Sequence, residues 1–446
     1  MSRVVLQDLA GGETRLVDAP APVAGAHQVV LATSASVVSA GTERMLVDFG
    51  RASLLGKVRS QPQRVGEVLD KARTDGLATT VDAVRSKLAE PIPLGYSSAG
   101  RVVEVGRSVT GLEGGDLVAA AGPHAELAAV AATLTARVPT GVAAGDAAFA
   151  TIASIGLQGV RLAAPTVGER FVVIGLGLIG LLTVQLLEAQ GCPVLGIDPN
   201  PQRRTRAEGY GATAVAPDDD VAAAALAHSA GRGVDGVLLC ASTDSNEPVR
   251  QAAQMCRKRG RIVLVGVSGL ELDRADFYEK ELTLQVSAAY GPGRYDPSYE
   301  VGGNDYPIGH VRWTAGRNME AVLDLIAAGR IDVASLVTHE HDFDDAPAAY
   351  ETLVSDPSAL GIVLSYPAPE LGPHSQLLRR TIAMATGSHT TGAARVGVLG
   401  AGNFATKVLL PALREAGASI DTVVSSGGTT AAIAADSFGA RAASTD

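Results

Sequence analysis

The run Phe171–Gly180, FVVIGLGLIG, decides the fold of the chain. Its apolar, β-branched first half predicts a buried strand, and its glycines lead directly into LLTVQLLEAQG, which predicts a helix that ends at Gly191. A G-x-G-x-x-G pattern between a strand and a helix is typical of a dinucleotide-binding unit. PVLGID, DGVLLC and RIVLVGVSG predict further strands with helices between them. We therefore expect an α/β fold with a doubly wound parallel sheet.

Each glycine of this first fingerprint has a predicted role. Gly175 allows the tight turn after the strand, Gly177 lets the backbone approach a diphosphate, and Gly180 permits close packing of the helix on the strand. Leu178 and Ile179 begin the helix, whose positive end would hold the diphosphate. We predict that these five residues bind the cofactor.

Asp198 ends the next predicted strand, PVLGID. A carboxylate at this place accepts hydrogen bonds from a ribose 2′-hydroxyl and repels a 2′-phosphate. The sequence therefore predicts that NAD is preferred over NADP. Arg203 and Arg204 follow closely and could weaken that preference by attracting the 2′-phosphate.

Composition and charge narrow the range of functions. The chain has 446 residues, 46% of them hydrophobic, and a net charge of −10 without a basic block, so we expect neither a nucleic acid nor a membrane partner. Three cysteines favour a reducing compartment. The N-terminus lacks the apolar core of a secretory signal, and no apolar run is long enough to span a bilayer. We expect a soluble, cytoplasmic protein.

A second fingerprint, GAGNFA, begins at Gly400 and again follows a predicted strand, RVGVL. Gly402, Asn403 and Phe404 would bind a cofactor there, with NADP as an alternative because the strand IDTVV ends in serines rather than an acid. The sequence holds only two strands and the start of a third after residue 393, so a unit that binds nothing is equally compatible with the pattern.

The first 366 residues resemble the medium-chain dehydrogenase/reductase superfamily. Ala40-Gly41-Thr42-Glu43 matches its Cys-Gly-Thr-Asp run, and LGYSSAGRVVEVG, which begins at Leu94, matches its Gly-His-Glu segment. The resemblance implies five segments: a GroES-like substrate domain with a helical insertion, a Rossmann domain, a return to the substrate domain, a linker, and an incomplete second Rossmann domain. We place them at 1–150 with the insertion at 53–90, 151–290, 291–366, 367–392 and 393–446.

The last segment, 393–446, resembles the start of a Gfo/Idh/MocA dehydrogenase. Together the two resemblances imply a bi-domain oxidoreductase of the kind associated with sugar or polysaccharide pathways. They imply a small-molecule, sugar-derived substrate and a homo-oligomer.

The metal ligands of zinc-dependent relatives are replaced in this sequence. Ala40 stands at the first ligand position and Tyr96 at the second, Ser97 replaces the neighbouring glutamate, and FATIASIG offers no side chain for a third. A catalytic zinc needs three protein ligands. We expect no zinc, and a carbonyl oxygen that gains charge must then be stabilised by hydrogen-bond donors.

Tyr96 is the first candidate donor, with a packing tyrosine as the alternative. The resemblance implies that Thr42 lies near the reacting alcohol and could relay a proton, or it stabilises a turn. Glu43 could act as a base or form a salt bridge with Arg44 or another arginine.

A polar-aromatic segment after residue 290 supplies further candidates. Its arginines could grip a carboxylate or phosphate and its aromatic rings could stack on a sugar, unless the segment forms a loop core or a dimer contact. We predict a catalytic role for His310 and substrate-binding roles for Arg294, Tyr295, Asp305, Tyr306, Arg312 and Trp313.

Three functions are compatible with these residues. The first is a zinc-independent, NAD-dependent oxidoreductase acting on a hydroxyl or ketone of a sugar-like substrate that can be anionic. The second is an NADPH-type reductase of activated double bonds, against which Asp198 argues. The third is a non-catalytic dinucleotide-binding scaffold for the Gfo/Idh/MocA-like segment.

Overall fold

A computed structural model describes residues 1–52, 91–368, 375–384 and 394–446. The helices predicted within 53–90 lie outside these residues. The described chain forms two compact units. The first comprises Met1–Val38, Thr42–Ala132 and His339–Asp446, and the second comprises Ser39–Gly41 and Thr133–Thr338.

The first unit is rich in antiparallel strands. Its strands before residue 132 are β1 (Ser2–Gln7), β2 (Thr14–Ala19), β3 (Gln28–Ser39), β4 (Ile92–Pro93), β5 (Ser98–Val105), β6 (Leu117–Ala120) and β7 (Leu127–Ala131). β2, β1 and β4 form a small sheet, and β3 pairs with both β5 and β7 in a larger one. Alternate residues of these strands, among them Val29, Leu31, Val102 and Val118, are buried together in one core.

The chain returns to the first unit near residue 339. The returning elements are β15 (Val337–Asp342), α11 (Ala346–Ser355) and β16 (Gly361–Ser365), and β16 joins the larger sheet beside β3. Helix α1 (Thr42–Arg51) lies against α11, where the Arg44 guanidinium donates to the Val354 carbonyl at 3.1 Å.

The C-terminal segment forms a four-stranded sheet of its own. It contains β17 (Thr381–Ala383), β18 (Arg395–Leu399), a π-helical turn (Ala405–Leu409), α12 (Leu410–Glu415), β19 (Ser419–Val424), α13 (Thr429–Phe438) and β20 (Ala442–Ser444). β18, β19 and β20 are parallel, and β17 pairs antiparallel with β20. Within the described part of the predicted linker, residues 375–384, the chain forms the strand β17.

This C-terminal sheet shares a core with the N-terminal strands, although the sequence predicted a separate domain. Val4 and Leu6 of β1 are buried in one cluster with Val398, Val423 and the alanines of α13. The small alanine side chains let the helix approach β2 closely, and Thr445 donates to the Ala21 carbonyl at 2.7 Å. The segment is therefore part of the first unit.

The second unit contains the predicted doubly wound sheet. Its strand order is β11-β10-β9-β12-β13-β14, and neighbouring strands in this order run parallel. The strands of this sheet are β9 (Phe171–Ile174), β10 (Val194–Ile197), β11 (Thr213–Val215), β12 (Val234–Leu239), β13 (Cys256–Leu264) and β14 (Thr283–Val286). The unit also contains β8 (Thr135–Arg137), which is not part of that sheet. The helices are α2 (Ala144–Ala147), α3 (Ala150–Ala163), α4 (Leu178–Ala189), α5 (Pro201–Gly209), α6 (Val221–His228), α7 (Glu247–Met255), α8 (Arg274–Tyr278), α9 (Pro297–Glu300) and α10 (Ala315–Ala327).

The second unit extends further than the predicted Rossmann domain, 151–290. The difference arises because the segment after residue 290 packs within this unit: Tyr299 donates to the Thr133 carbonyl at 2.8 Å, and Asn318 lies against α3. Within the described residues no helix is both long and apolar enough to cross a membrane.

Candidate functional site

The first fingerprint has the geometry that a diphosphate requires. Gly175 adopts a φ of +90° and donates to the Ile197 carbonyl at 2.8 Å, while a Cβ at Gly180 would lie 1.8 Å from the Gly175 oxygen. A Cβ at Gly177 would instead meet open space. Gly177 caps α4 without a side-chain hydrogen bond, so the first amides of the helix are not bound by a capping side chain. These residues fit the diphosphate of a dinucleotide.

Asp198 lies beside the same loop. Its carboxylate is 3% exposed and accepts from the amides of Leu176 at 2.7 Å and Asn200 at 2.8 Å. Each carboxylate oxygen has more than one acceptor site, so a ribose hydroxyl can still bind. The Arg203 guanidinium lies 3.8 Å away and partly compensates the charge. Asp198 and Arg203, which were predicted to have opposite effects on the preference for NAD over NADP, therefore contact each other directly.

The second fingerprint has a similar backbone but a weaker helix. Gly400 adopts a φ of +98° and donates to the Val424 carbonyl, and a Cβ at Gly402 would meet open space. Phe404 is 70% exposed, and the helix that follows begins with the π-helical turn. Cofactor binding by Gly400, Gly402, Asn403 and Phe404 stays a prediction.

The structure describes the residues that stand at the positions of the zinc ligands and their neighbouring glutamate. At the three replaced positions stand Ala40, a half-buried Tyr96 and a fully buried Ser97. Among the described residues, no group of three or more His, Cys, Asp or Glu side chains is placed to hold a metal ion. Burial raises the pKa of the Cys240 and Cys256 thiols to about 12, which disfavours the thiolate form that binds metals.

A buried polar network occupies the first unit. The Glu43 carboxylate accepts from the Tyr350 hydroxyl and lies 3.1 Å from His124 Nε2. His124 Nδ1 lies 2.7 Å from the Ser36 hydroxyl, which in turn is 2.9 Å from the Tyr366 hydroxyl. Glu43 and His124 are at most 1% exposed. The network therefore links strand β3, helix α1 and helix α11 through side chains.

Most residues of this network were not predicted from the sequence. A lone histidine in GPHAEL and a tyrosine in a helix match no functional motif, so no role was predicted for His124 or Tyr350. One signal was present: Gly95 adopts a φ of +89°, and a Cβ there would lie 2.6 Å from the His124 ring. That glycine therefore marks a close approach next to Tyr96.

The structure separates the predicted roles of Thr42 and Glu43. Thr42 is exposed at the first residue of α1, whereas Glu43 is buried. Arg44 does not form the predicted salt bridge with Glu43. Its guanidinium group donates to the Val354 carbonyl and lies 3.9 Å from the Asp48 carboxylate. A carboxylate that is 1% exposed and bound to His124 is also unsuited to direct contact with a substrate.

Most charged side chains in the polar-aromatic segment bind one another. Arg294 pairs with Glu300, Arg317 pairs with Asp305, and Tyr306 donates to Asp296. These contacts favour the alternative of a loop core for Arg294, Asp305 and Tyr306. Tyr295 is 69% exposed. His310 is also exposed, and its backbone amide donates to the Pro307 carbonyl at 2.9 Å.

Trp313 is arranged differently from the rest of that segment. The guanidinium carbons of Arg161 and Arg312 lie 3.3 Å and 3.8 Å from its ring centroid. Arg312 and Trp313 were predicted as site residues, but Arg161 was not. Arg161 is far from them in sequence, and helix α3 brings it to the indole ring.

Comparisons with known proteins agree with the fold. Residues 179–301 match the zinc-binding dehydrogenase family. An uncharacterized zinc-type alcohol dehydrogenase-like protein of Escherichia coli is 27% identical over 228 residues, which is 50% of this chain and 58% of that protein. Sorbitol dehydrogenase 1 of Saccharomyces cerevisiae is 28% identical over 305 residues, 59% of this chain and 78% of that protein.

Solved structures extend the likeness to the first unit. Alcohol dehydrogenase TADH from Thermus sp. ATN1 covers 82% of this chain and 100% of its own, with 20% identity and a TM-score of 0.63. The chain therefore has the fold of the medium-chain alcohol dehydrogenases, a GroES-like unit and a Rossmann unit. Together the comparisons support an NAD(P)-dependent oxidoreductase that is similar to sugar-alcohol and alcohol dehydrogenases.

Proposed function

We propose that the chain is a zinc-independent oxidoreductase that transfers hydride between NAD and a hydroxyl or ketone group of a sugar-like substrate. The observation that carries this proposal is the first fingerprint, where the open space at Gly177 and the carboxylate of Asp198 lie beside the start of α4. The similarity to sorbitol dehydrogenase 1 supports a polyhydroxylated substrate.

The fingerprint residues would hold the cofactor. The amides at the start of α4 would bind the diphosphate, and Asp198 would accept from the adenosine ribose. NAD, when bound, accepts or supplies the hydride. Arg203 lies close enough to Asp198 to attract a 2′-phosphate if the carboxylate is removed.

Hydroxyl groups of the first unit would stabilise the substrate oxygen as it gains charge, which is the role of the metal in zinc-dependent relatives. We propose Tyr96 as the donor to the substrate oxygen and the exposed hydroxyl of Thr42 as the group that passes the proton on. Glu43, held by His124 and Tyr350, would fix the first turn of α1 and thereby position Thr42.

The cofactor preference is the direct test of the proposed function. The protein should oxidise polyols with NAD more efficiently than with NADP, measured as the absorbance of the reduced cofactor. Asp198→Ala should narrow the gap because the repulsion of the 2′-phosphate is lost while Arg203 remains. Asp218→Ala, which changes an exposed acid nearby, is the control. A polyol panel without any turnover, or equal use of NADP by the unmutated protein, would contradict the proposal.

Tyr96→Phe should keep folding and NAD binding but lower turnover by at least about tenfold, since removal of one donor to a developing oxyanion typically costs about 100-fold to 1,000-fold. Turnover per folded molecule is the measurement. Tyr278→Phe, at a tyrosine that is 63% exposed, is the matched control. Full activity in the Tyr96 variant would assign Tyr96 to packing.

Metal content tests the zinc-independent part of the proposal. We expect elemental analysis to find no stoichiometric zinc and chelation to leave polyol oxidation unchanged. Ala40 and Tyr96 stand at two ligand positions, and FATIASIG offers no side chain for the third ligand that a catalytic zinc needs. One zinc per chain that is lost together with activity would overturn this part alone.

A further inference from the structure

Trp313, the single tryptophan of the chain, lies between two guanidinium groups. The guanidinium carbon of Arg161 is 3.3 Å from the ring centroid and that of Arg312 is 3.8 Å from it. Two planar groups this close to one centroid would overlap on the same face, so they lie on opposite faces. The two positive charges are therefore held about 7 Å apart across one indole ring.

Among the described residues, no acidic side chain lies within the 4.0 Å of an ion pair from either of these arginines, although the charge of Arg312 acts on Glu320 from further away. Arg161 donates through Nε to the neutral amide of Asn318 at 2.7 Å, and Arg312 is exposed. The neighbouring arginines of the same segment behave differently, since Arg294 and Arg317 each have a carboxylate partner. Burial first, and then the charge of Arg312, lower the pKa of Arg161 to about 10, which leaves it charged at neutral pH.

We propose that the stack of Arg161, Trp313 and Arg312 binds a phosphate group. Guanidinium groups form paired, planar hydrogen bonds with phosphate oxygens, and a phosphate at the rim of the indole presents enough oxygens to accept from both. Its charge of about −1.5 to −2 at neutral pH matches two cations better than a single carboxylate does. The ligand is a phosphate monoester or free phosphate.

This phosphate site is distinct from the one for the cofactor. Arg161 lies in the last turn of α3, which leads into the amino end of β9. The first fingerprint follows the opposite, carboxyl end of β9. The diphosphate of NAD and the phosphate at Trp313 would therefore be bound at the same time.

The tryptophan itself reports on this site. Titration of the full chain with inorganic phosphate and, separately, with glucose 6-phosphate should give a saturable change in tryptophan fluorescence that chloride at equal ionic strength does not reproduce. Tighter binding of glucose 6-phosphate would identify an ester as the ligand, and equal binding would identify free phosphate. Saturating NAD should leave the midpoint unchanged.

Variants separate binding from folding. Arg161→Gln and Arg312→Gln should each weaken phosphate binding about tenfold or more. Arg312 is exposed, so its variant should keep the melting temperature even if the Arg161 variant does not fold. Arg274→Gln, which removes a single guanidinium 3.9 Å from the Tyr278 ring, is the matched control.

Three results would overturn the proposal. They are no saturable signal with either phosphate, an unchanged affinity in Arg312→Gln, or a fluorescence that depends on protein concentration and not on phosphate. The last would assign the two cations to acidic groups of a second copy of the chain.

Discussion

Gly177→Ala should keep the fold and lose the cofactor, whereas Gly180→Ala should lose the fold. A Cβ at Gly177 meets no atom within 4 Å, so the apoprotein has room for it, but that space is where we place the diphosphate. Overpacking costs about 1–3 kcal/mol, which corresponds to about fivefold to 150-fold in the dissociation constant of NAD.

The same methyl group has a different effect at Gly180. Its Cβ would lie 1.8 Å from the Gly175 oxygen, a backbone atom that cannot rotate away. We expect a loss of at least about 3 kcal/mol in the free energy of unfolding, the upper end of the overpacking range. The midpoint of urea unfolding measures this loss, and NAD titration measures binding in both variants.

Gly209→Ala is the control, because Gly209 is a helical glycine whose Cβ would meet open space. It should change neither the midpoint of urea unfolding nor the affinity for NAD appreciably. A Gly177 variant that binds NAD as tightly as the unmodified protein would show that the diphosphate lies elsewhere. Unchanged stability in the Gly180 variant would contradict the close packing of α4 on β9.

The fingerprint could be predicted from sequence because its geometry is local. Gly175, Gly180 and Asp198 belong to one strand–helix–strand unit, and their roles follow from the turn between β9 and α4. The parallel order of the second unit follows from the same repeated unit.

The buried network could not be predicted in this way. Ser36, Glu43, His124, Tyr350 and Tyr366 come from five separated stretches of the chain, and none of them carries a motif. Only the folded sheet and helices bring them within hydrogen-bond distance. The same reason explains the packing of the C-terminal sheet on β1 and β2, since a run of alanines in α13 does not indicate its partner.

The partners of Glu43 have a large expected effect on stability. His124→Leu removes one hydrogen-bond partner of the buried Glu43 carboxylate, while the contact with Tyr350 stays. Loss of a hydrogen-bond partner by a buried polar group typically costs about 1–3 kcal/mol. We expect a loss of that size in urea unfolding for His124→Leu. Tyr350→Phe removes a different hydrogen bond to the same carboxylate and should cost a similar amount.

The double variant Glu43→Leu/His124→Leu makes this prediction specific to the pair. Replacing both partners by apolar side chains removes the two polar groups together, so the double variant should be more stable than the sum of the two single losses implies. A coupling of about 1–3 kcal/mol is expected, within the range for residues in contact. Strictly additive losses would mean that Glu43 and His124 act independently.

The double variant also separates two roles of Glu43, because Glu43 follows the exposed Thr42 in the first turn of α1. Restored stability with lost turnover would show that the carboxylate positions Thr42, and restored turnover would show that the network serves the fold alone.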